Sequence, residues 1–234
     1  MELTLNPKRV ILIMLSIITL LTIMHIGQLV IYFQVGDPET FDFIKMIDFD
    51  YEANFPSFYS SSALLFCAAL LWLIGLHKLR TIEQFRYHWI GLAAIFTFLA
   101  MDEAIALHED LGDFVEALQL FDASGFLYFA WVAPYGILLI LFAATYLKFV
   151  FTLPRQTMVT FICAGTLFIG GAVGIEIFSA READANGTET ILYSILYTVE
   201  EVFEMVGIAI FCFGILRYIE TDQGHVKIHL KSKT

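Results

Sequence analysis

The chain has 234 residues, 59% of them hydrophobic and 16% charged, with a formal net charge of −11 and a mean hydropathy of +0.75. Soluble globular chains carry about 45–50% apolar and about 25% charged residues, so this composition excludes a soluble fold. The balance of 13 Lys and Arg against 24 Asp and Glu also excludes nucleic acid as a partner, because gripping phosphates needs a basic surface.

Six apolar runs follow in chain order, at residues 10–33, 56–76, 87–108, 125–147, 157–179 and 190–216. Each is long enough for a hydrocarbon core that takes roughly 20 helical residues. Without period-2 alternation, the runs predict an all-α fold, a polytopic transmembrane bundle of six helices rather than a barrel, in one membrane domain over residues 1–234. The first run follows Lys8 and Arg9, but it is too long for a signal peptide and lacks a small-residue cleavage site, so it reads as a retained span. Lys and Arg concentrate on the cytoplasmic side of membrane proteins. With the N-terminus inside, only Lys45 and Arg181 fall outside. The expectation is a multi-pass protein of the cell inner membrane, with both termini cytoplasmic, an outer interfacial loop at 34–55 and a cytoplasmic tail at 217–234.

That outer loop interleaves Phe41, Phe43, Phe49, Tyr51 and Phe55 with Asp37, Glu39, Asp42, Asp48, Asp50 and Glu52. It suits either a cover over a polar cluster or an anchor lying flat on the headgroups. The second run opens with Ser57, Tyr59, Ser60, Ser61 and Ser62, hydroxyls expected to bond across helices. Leu111 to Leu120 reads as an amphipathic extension of the third run. Gly170 and Gly174, four apart, predict a close-packing face of the fifth. Cys67, Cys163 and Cys212 all fall within spans, as small apolar fillers rather than a disulfide or thiolate framework. Asn186-Gly187-Thr188 fits a glycosylation sequon on an outer loop.

The chemistry lies in ionisable residues inside the runs, where a charge costs several kcal/mol, about 2.5–3.5 by insertion scales, and marks function by default. Asp102, Glu103, His108 and Glu109 end the third run, Glu176 lies in the fifth, and Glu200, Glu201 and Glu204 lie in the sixth, while the first adds His25 with Gln28. At about 100° per residue, Tyr197, Glu200, Glu201 and Glu204 form one stripe, and Asp102 and Glu109 point the same way. Counting about 1.5 Å per residue puts these groups, Trp131 and Tyr135 in the outer half of the bilayer. No Lys or Arg accompanies them, so protons or metal ions must compensate the carboxylates.

Carboxylates with one or two imidazoles suit a divalent metal ion, Fe, Mn or Zn, with Ca served by carboxylates alone. The candidate ligands are Asp102, His108, Glu109, Glu176, Glu200, Glu201, Glu204 and His25, with Glu201 and Asp102 as candidate catalytic acid/base groups. The Glu-x-x-His pairs of helical di-iron proteins are absent: Ala106 stands three residues after Glu103. His108 also reads as the wet end of its span, and His25 as an interior histidine bonded to a neighbour. Three functions stay open: a metal-dependent enzyme acting on a lipid or other apolar substrate, a proton- or cation-translocating subunit, and a structural subunit of a larger membrane complex. Membrane lipids are the expected partners, with a homo-oligomer or a complex as the assembly. Asp102-Glu103-x4-His108-Glu109, the isolated Gly174-x-Glu176 and Glu200-Glu201-x2-Glu204-Met205 together resemble a family of uncharacterised prokaryotic polytopic membrane proteins. The resemblance implies a membrane bundle and brings no activity with it.

Overall fold

The computed structural model describes residues 2–35, 45–222 and 227–229. Among them, six helical stretches are long and apolar enough to cross a membrane. The first is α1 (Pro7–Val35), followed by α2 (Phe55–Arg80) and α3 (Arg86–Ile105). A short helix α4 (Leu107–Ala117) and a 3₁₀ turn at Gly125–Leu127 lead to α5 (Val132–Thr152). Then α6 (Arg155–Ile169), a π-helical turn at Gly170–Ile175 and α7 (Glu176–Asn186) run as one stretch, and α8 (Ile191–Asp222) closes the bundle. A two-stranded antiparallel ribbon pairs β1 (Glu2–Thr4) with β2 (Lys227–His229) at the end of the bundle where α1 begins and α8 finishes.

Helices apolar on every side have no reason to present one face to water, and they bury what a neighbour covers and leave the rest to lipid. Accordingly Leu12, Ile13, Leu20 and Ile23 of α1 and Ile137, Ile140 and Leu141 of α5 are exposed. The centre is α8, which packs against α1, α2, α6 and α7. Cys67, Leu71 and Ile74 of α2 meet Met205, Cys212 and Ile215 of α8 in a fully buried seam. The Cys67 thiol points at the Ile208 carbonyl, 4.0 Å away.

The third run is broken. Ala106 adopts the left-handed conformation (φ 53, ψ 43), ending α3 at Ile105 and starting α4 in a new direction. His108 and Glu109 therefore belong to α4, and the one-helix alignment of Asp102 with Glu109 does not hold. The fourth span starts at Val132 rather than 125, because Gly125–Leu127 is a 3₁₀ turn. Residues 217–222, expected in the tail, continue α8.

The close-packing glycine is Gly171 rather than Gly170 or Gly174. A Cβ on Gly171 would lie 2.7 Å from the Glu200 carbonyl, whereas Gly170 faces open space and Gly174 only the Ile169 carbonyl, at 3.8 Å. The π turn adds a residue to the helical repeat and so rotates a different position onto α8. Of the outer-loop residues singled out above, Asp37, Glu39, Phe41, Asp42 and Phe43 lie outside the described residues.

Candidate metal centre

The segment 46–54 folds back over the bundle, and its sequence explains why. Asn54 caps α2: its side chain accepts the Ser57 N–H (3.0 Å), while Ser57 Oγ accepts the Asn54 N–H (2.9 Å). The Asn54 amide also donates to the Tyr51 carbonyl at 2.7 Å, closing the turn. Asp48 pins the segment inward, taking Gln28 Nε2 from α1 at 3.0 Å and the Tyr197 hydroxyl from α8 at 3.3 Å. Asp50 accepts the Tyr193 hydroxyl at 2.9 Å. Phe49 of this segment is buried and stacked on His25, centroids 4.2 Å apart, so the segment packs onto the bundle.

Against this segment, α4 brings His108 and Glu109 to Glu52. The three offer ligand atoms that all lie within 4.8 Å of one another. Asp102, at the end of α3, orients the imidazole. Its Oδ1 accepts the His108 N–H at 2.7 Å and faces Nδ1 at 3.3 Å, and its Oδ2 accepts the Tyr135 hydroxyl at 3.0 Å. Because Ala106 offers no side-chain cap, the Asp102 carboxylate serves the first turn of α4 in its place. With Nδ1 held by a carboxylate, Nε2 is the free donor, the arrangement in which a ligating histidine is fixed and made more basic. Glu52 Oε2 is buried and has no hydrogen-bond partner among the described residues.

These three residues stand at one side of a cavity of about 470 Å³. Its described lining holds eight Asp or Glu side chains, seven aromatic residues and His108, with no Lys or Arg. Glu176, Glu200 and Glu201 also line it. The Glu176 carboxyl faces both the Glu200 carboxyl and the Trp131 indole, and Ser179 Oγ donates to Glu200 at 3.4 Å. Two carboxyl groups that meet in this way require a proton or a cation between them. Burial pushes the Glu52 carboxyl up to about 7, a shift that His108 opposes when protonated and that Glu109 and Asp102 add to. Burial likewise pushes Asp50 up to about 6.

Of the residues expected from sequence, His108, Glu109, Glu176, Glu200 and Glu201 line this one cavity. Asp102 does not line it, since both its oxygens serve His108 and Tyr135. Glu204 and Glu103 lie deeper, in electrostatic range of Glu201 and of each other. His25 stands apart from the cluster with both nitrogens engaged: Nδ1 accepts the Phe49 N–H (3.3 Å), so the ring proton sits on Nε2, which meets Thr198 Oγ1 (2.9 Å). No nitrogen of His25 is left for a metal. Of the serines, Ser61 bonds across helices to the Ala100 carbonyl (2.7 Å), while Ser57 is taken up by the α2 cap.

Sequence reasoning left Glu52 out of the ligand set. The signal available was the spacing Asp48-x-Asp50-x-Glu52 directly before the Asn54-x-x-Ser57 cap, which places alternate acids on one side of a short anchored segment.

Residues 10–218 match the model of a family described as a domain of unknown function, DUF8692. Neither the curated proteins nor the solved structures contain a match to the chain.

Proposed function

We propose that this chain, which belongs to the DUF8692 family, is a divalent-metal-dependent enzyme of the cell membrane, holding Fe, Mn or Zn through Glu52, His108 and Glu109 in the outer half of the bilayer. The observation that carries the reading is the convergence of three potential donors, from the loop before α2 and from α4, within 4.8 Å at an acid-lined cavity. One imidazole with two carboxylates is a borderline to hard donor set, suited to these metals and poorly suited to Cu(I) or an iron–sulfur cluster. Three protein ligands leave coordination positions for water and substrate, the pattern of catalytic rather than structural sites.

Chemically, the bound metal would act as a Lewis acid toward a substrate oxygen and lower the pKa of a coordinated water. The protein groups then have defined tasks. Asp102 fixes the His108 ring, and the carboxyls of Glu201 and Glu176, on the same cavity wall, are placed to accept or return a proton. The lipid-facing surfaces of the surrounding helices favour an apolar or amphiphilic substrate arriving from the membrane.

The alternative, cation or proton translocation through the same acids, needs a polar route across the whole bundle. Along α8 no Asp, Glu, His, Lys or Arg stands between Glu204 and Arg217, a rise of roughly 20 Å. The seam at that level is closed by Leu71, Ile74, Met205 and Ile215, all fully buried. A chamber open at one end favours binding and catalysis over a through path.

The test is elemental analysis of protein purified in a neutral detergent without added chelator. Wild type should carry Fe, Mn or Zn near one equivalent, and Glu52→Gln and Glu109→Gln should each lose most of it while eluting as folded protein. Metal-free wild type that also takes up none of the three on titration would refute the reading.

A further inference from the structure

The cavity is larger than a metal ion requires. At about 470 Å³ it lies within the range of small-molecule sites, about 300–1,000 Å³, and it is built from two kinds of surface. Acids supply one, and the faces or edges of Tyr128, Trp131, Tyr193 and Tyr197 supply the other. Eight carboxyl groups with no Lys or Arg in the described lining exclude an anionic ligand, and an inorganic cation gains little from four aromatic walls. An organic cation gains from both, since the ring quadrupole attracts ammonium groups and aromatic cages are the recurrent device for binding quaternary ammonium. One ring already makes this contact inside the chain: Lys45 Nζ lies 5.4 Å from the centroid of Tyr51, another lining residue.

The wall of the cavity adds a second line of argument. Helix α4 turns His108, Glu109, Gly112, Asp113 and Glu116 to the cavity. Outside the lining, Phe114 on α4 and Leu118 and Leu120 just beyond it are exposed. The neighbouring 3₁₀ turn exposes Phe126 and Leu127. An acidic, aromatic chamber thus lies beside an apolar rim, the arrangement that fits an amphiphile with a cationic head.

We infer that the cavity binds an alkylammonium group, and that the substrate class of the proposed enzyme is an ammonium-bearing molecule, either a lipid headgroup or a free amine. The inference builds on the reading of this cavity as a substrate chamber, and its test reports on the metal separately.

Trp131 alone among the three tryptophans lines the cavity, so its fluorescence reports occupancy. Purified wild-type protein in a maltoside detergent is titrated with choline, with its uncharged carbon isostere dimethylbutanol, with lysophosphatidylcholine and with lysophosphatidylglycerol, and metal content is measured on the same preparation. Saturable quenching by choline and not by dimethylbutanol supports the inference with a free amine as sufficient ligand. Quenching by lysophosphatidylcholine alone supports it with a lipid as the source. Tyr128→Leu should weaken whichever binds by about tenfold. Equal saturable quenching by choline and its isostere, equal saturable quenching by the two lysolipids with none by choline, or no saturable response to either ammonium compound would overturn it, and these comparisons need only the wild-type protein. Loss of ammonium binding with metal retained defeats this inference alone, whereas ammonium binding to protein that takes up no metal defeats the metal reading and leaves this one standing.

Discussion

On the proposed reading, Asp102 sets up His108 as a ligand without itself touching the metal. The two contacts from Asp102 Oδ1 to His108 fix both the backbone and the ring, and the Tyr135 hydroxyl fixes Asp102 in turn. Asp102→Asn keeps the shape but removes the charge. Metal affinity should fall about 10–100-fold, the usual cost of losing an outer carboxylate on a ligating histidine, with the fold intact. Competition against a chromophoric chelator measures this, and unchanged affinity would mean that His108 is not held for a metal. Much of this residue set was legible in sequence, because Asp102, His108, Glu109, Glu176, Glu200 and Glu201 are ionisable groups in apolar runs, where few have a purely structural reason to be. Glu52 was not, since it comes from a loop whose path depends on Asp48 finding Gln28 and Tyr197. His25 looked the same as His108 in sequence, and only Phe49 and Thr198, brought in by tertiary packing, distinguish it as a structural residue.

At the scale of elements, the six apolar runs were sufficient to place six helices, because their length and composition leave no other way to satisfy the backbone in lipid. The breaks inside them were not. Met101 to Glu109 contains no Gly or Pro to mark the turn at Ala106, so the left-handed residue is imposed by the contacts of Asp102 and α4 rather than by local preference. The π turn at Gly170–Ile175 was equally hidden, although its three glycines were visible. It brings Gly171 against the Glu200 carbonyl and sets Glu176 at the start of α7, facing Glu200. Gly171→Ala should therefore force α8 away from the turn. The expected loss is about 1–3 kcal/mol of stability, typical of overpacking a tight contact. Thermal unfolding in detergent checks it, and the same substitution at Gly170, which has open space, should have no comparable effect.

Over the whole molecule, eight of the 24 Asp and Glu side chains line a chamber at the end of the bundle opposite the β1–β2 ribbon. That placement links stability to pH and to metal. Glu52 and Asp50 have folded-state pKa values raised from 4.5 to about 7 and from 3.8 to about 6. A raised carboxyl pKa means that the fold favours the protonated form. The stability these groups contribute is complete below their unfolded values and is lost as pH rises through 6 and 7. Metal-free protein should melt at a lower temperature at pH 8 than at pH 5. A saturating divalent metal, which replaces the protons, should narrow that gap. Melting curves at the two pH values, with metal and with chelator, decide this, and an identical gap under both conditions would count against a cation in the chamber.

The most direct measurement is X-ray absorption at the metal edge of the purified, loaded protein. One imidazole nitrogen with carboxylate and water oxygens, at roughly 2.0–2.2 Å for zinc, and loss of the imidazole signature in His108→Ala, is the expected result. A sulfur-rich shell, a shell without imidazole, or an unchanged spectrum in His108→Ala would contradict the assignment of Glu52, His108 and Glu109 as the metal centre.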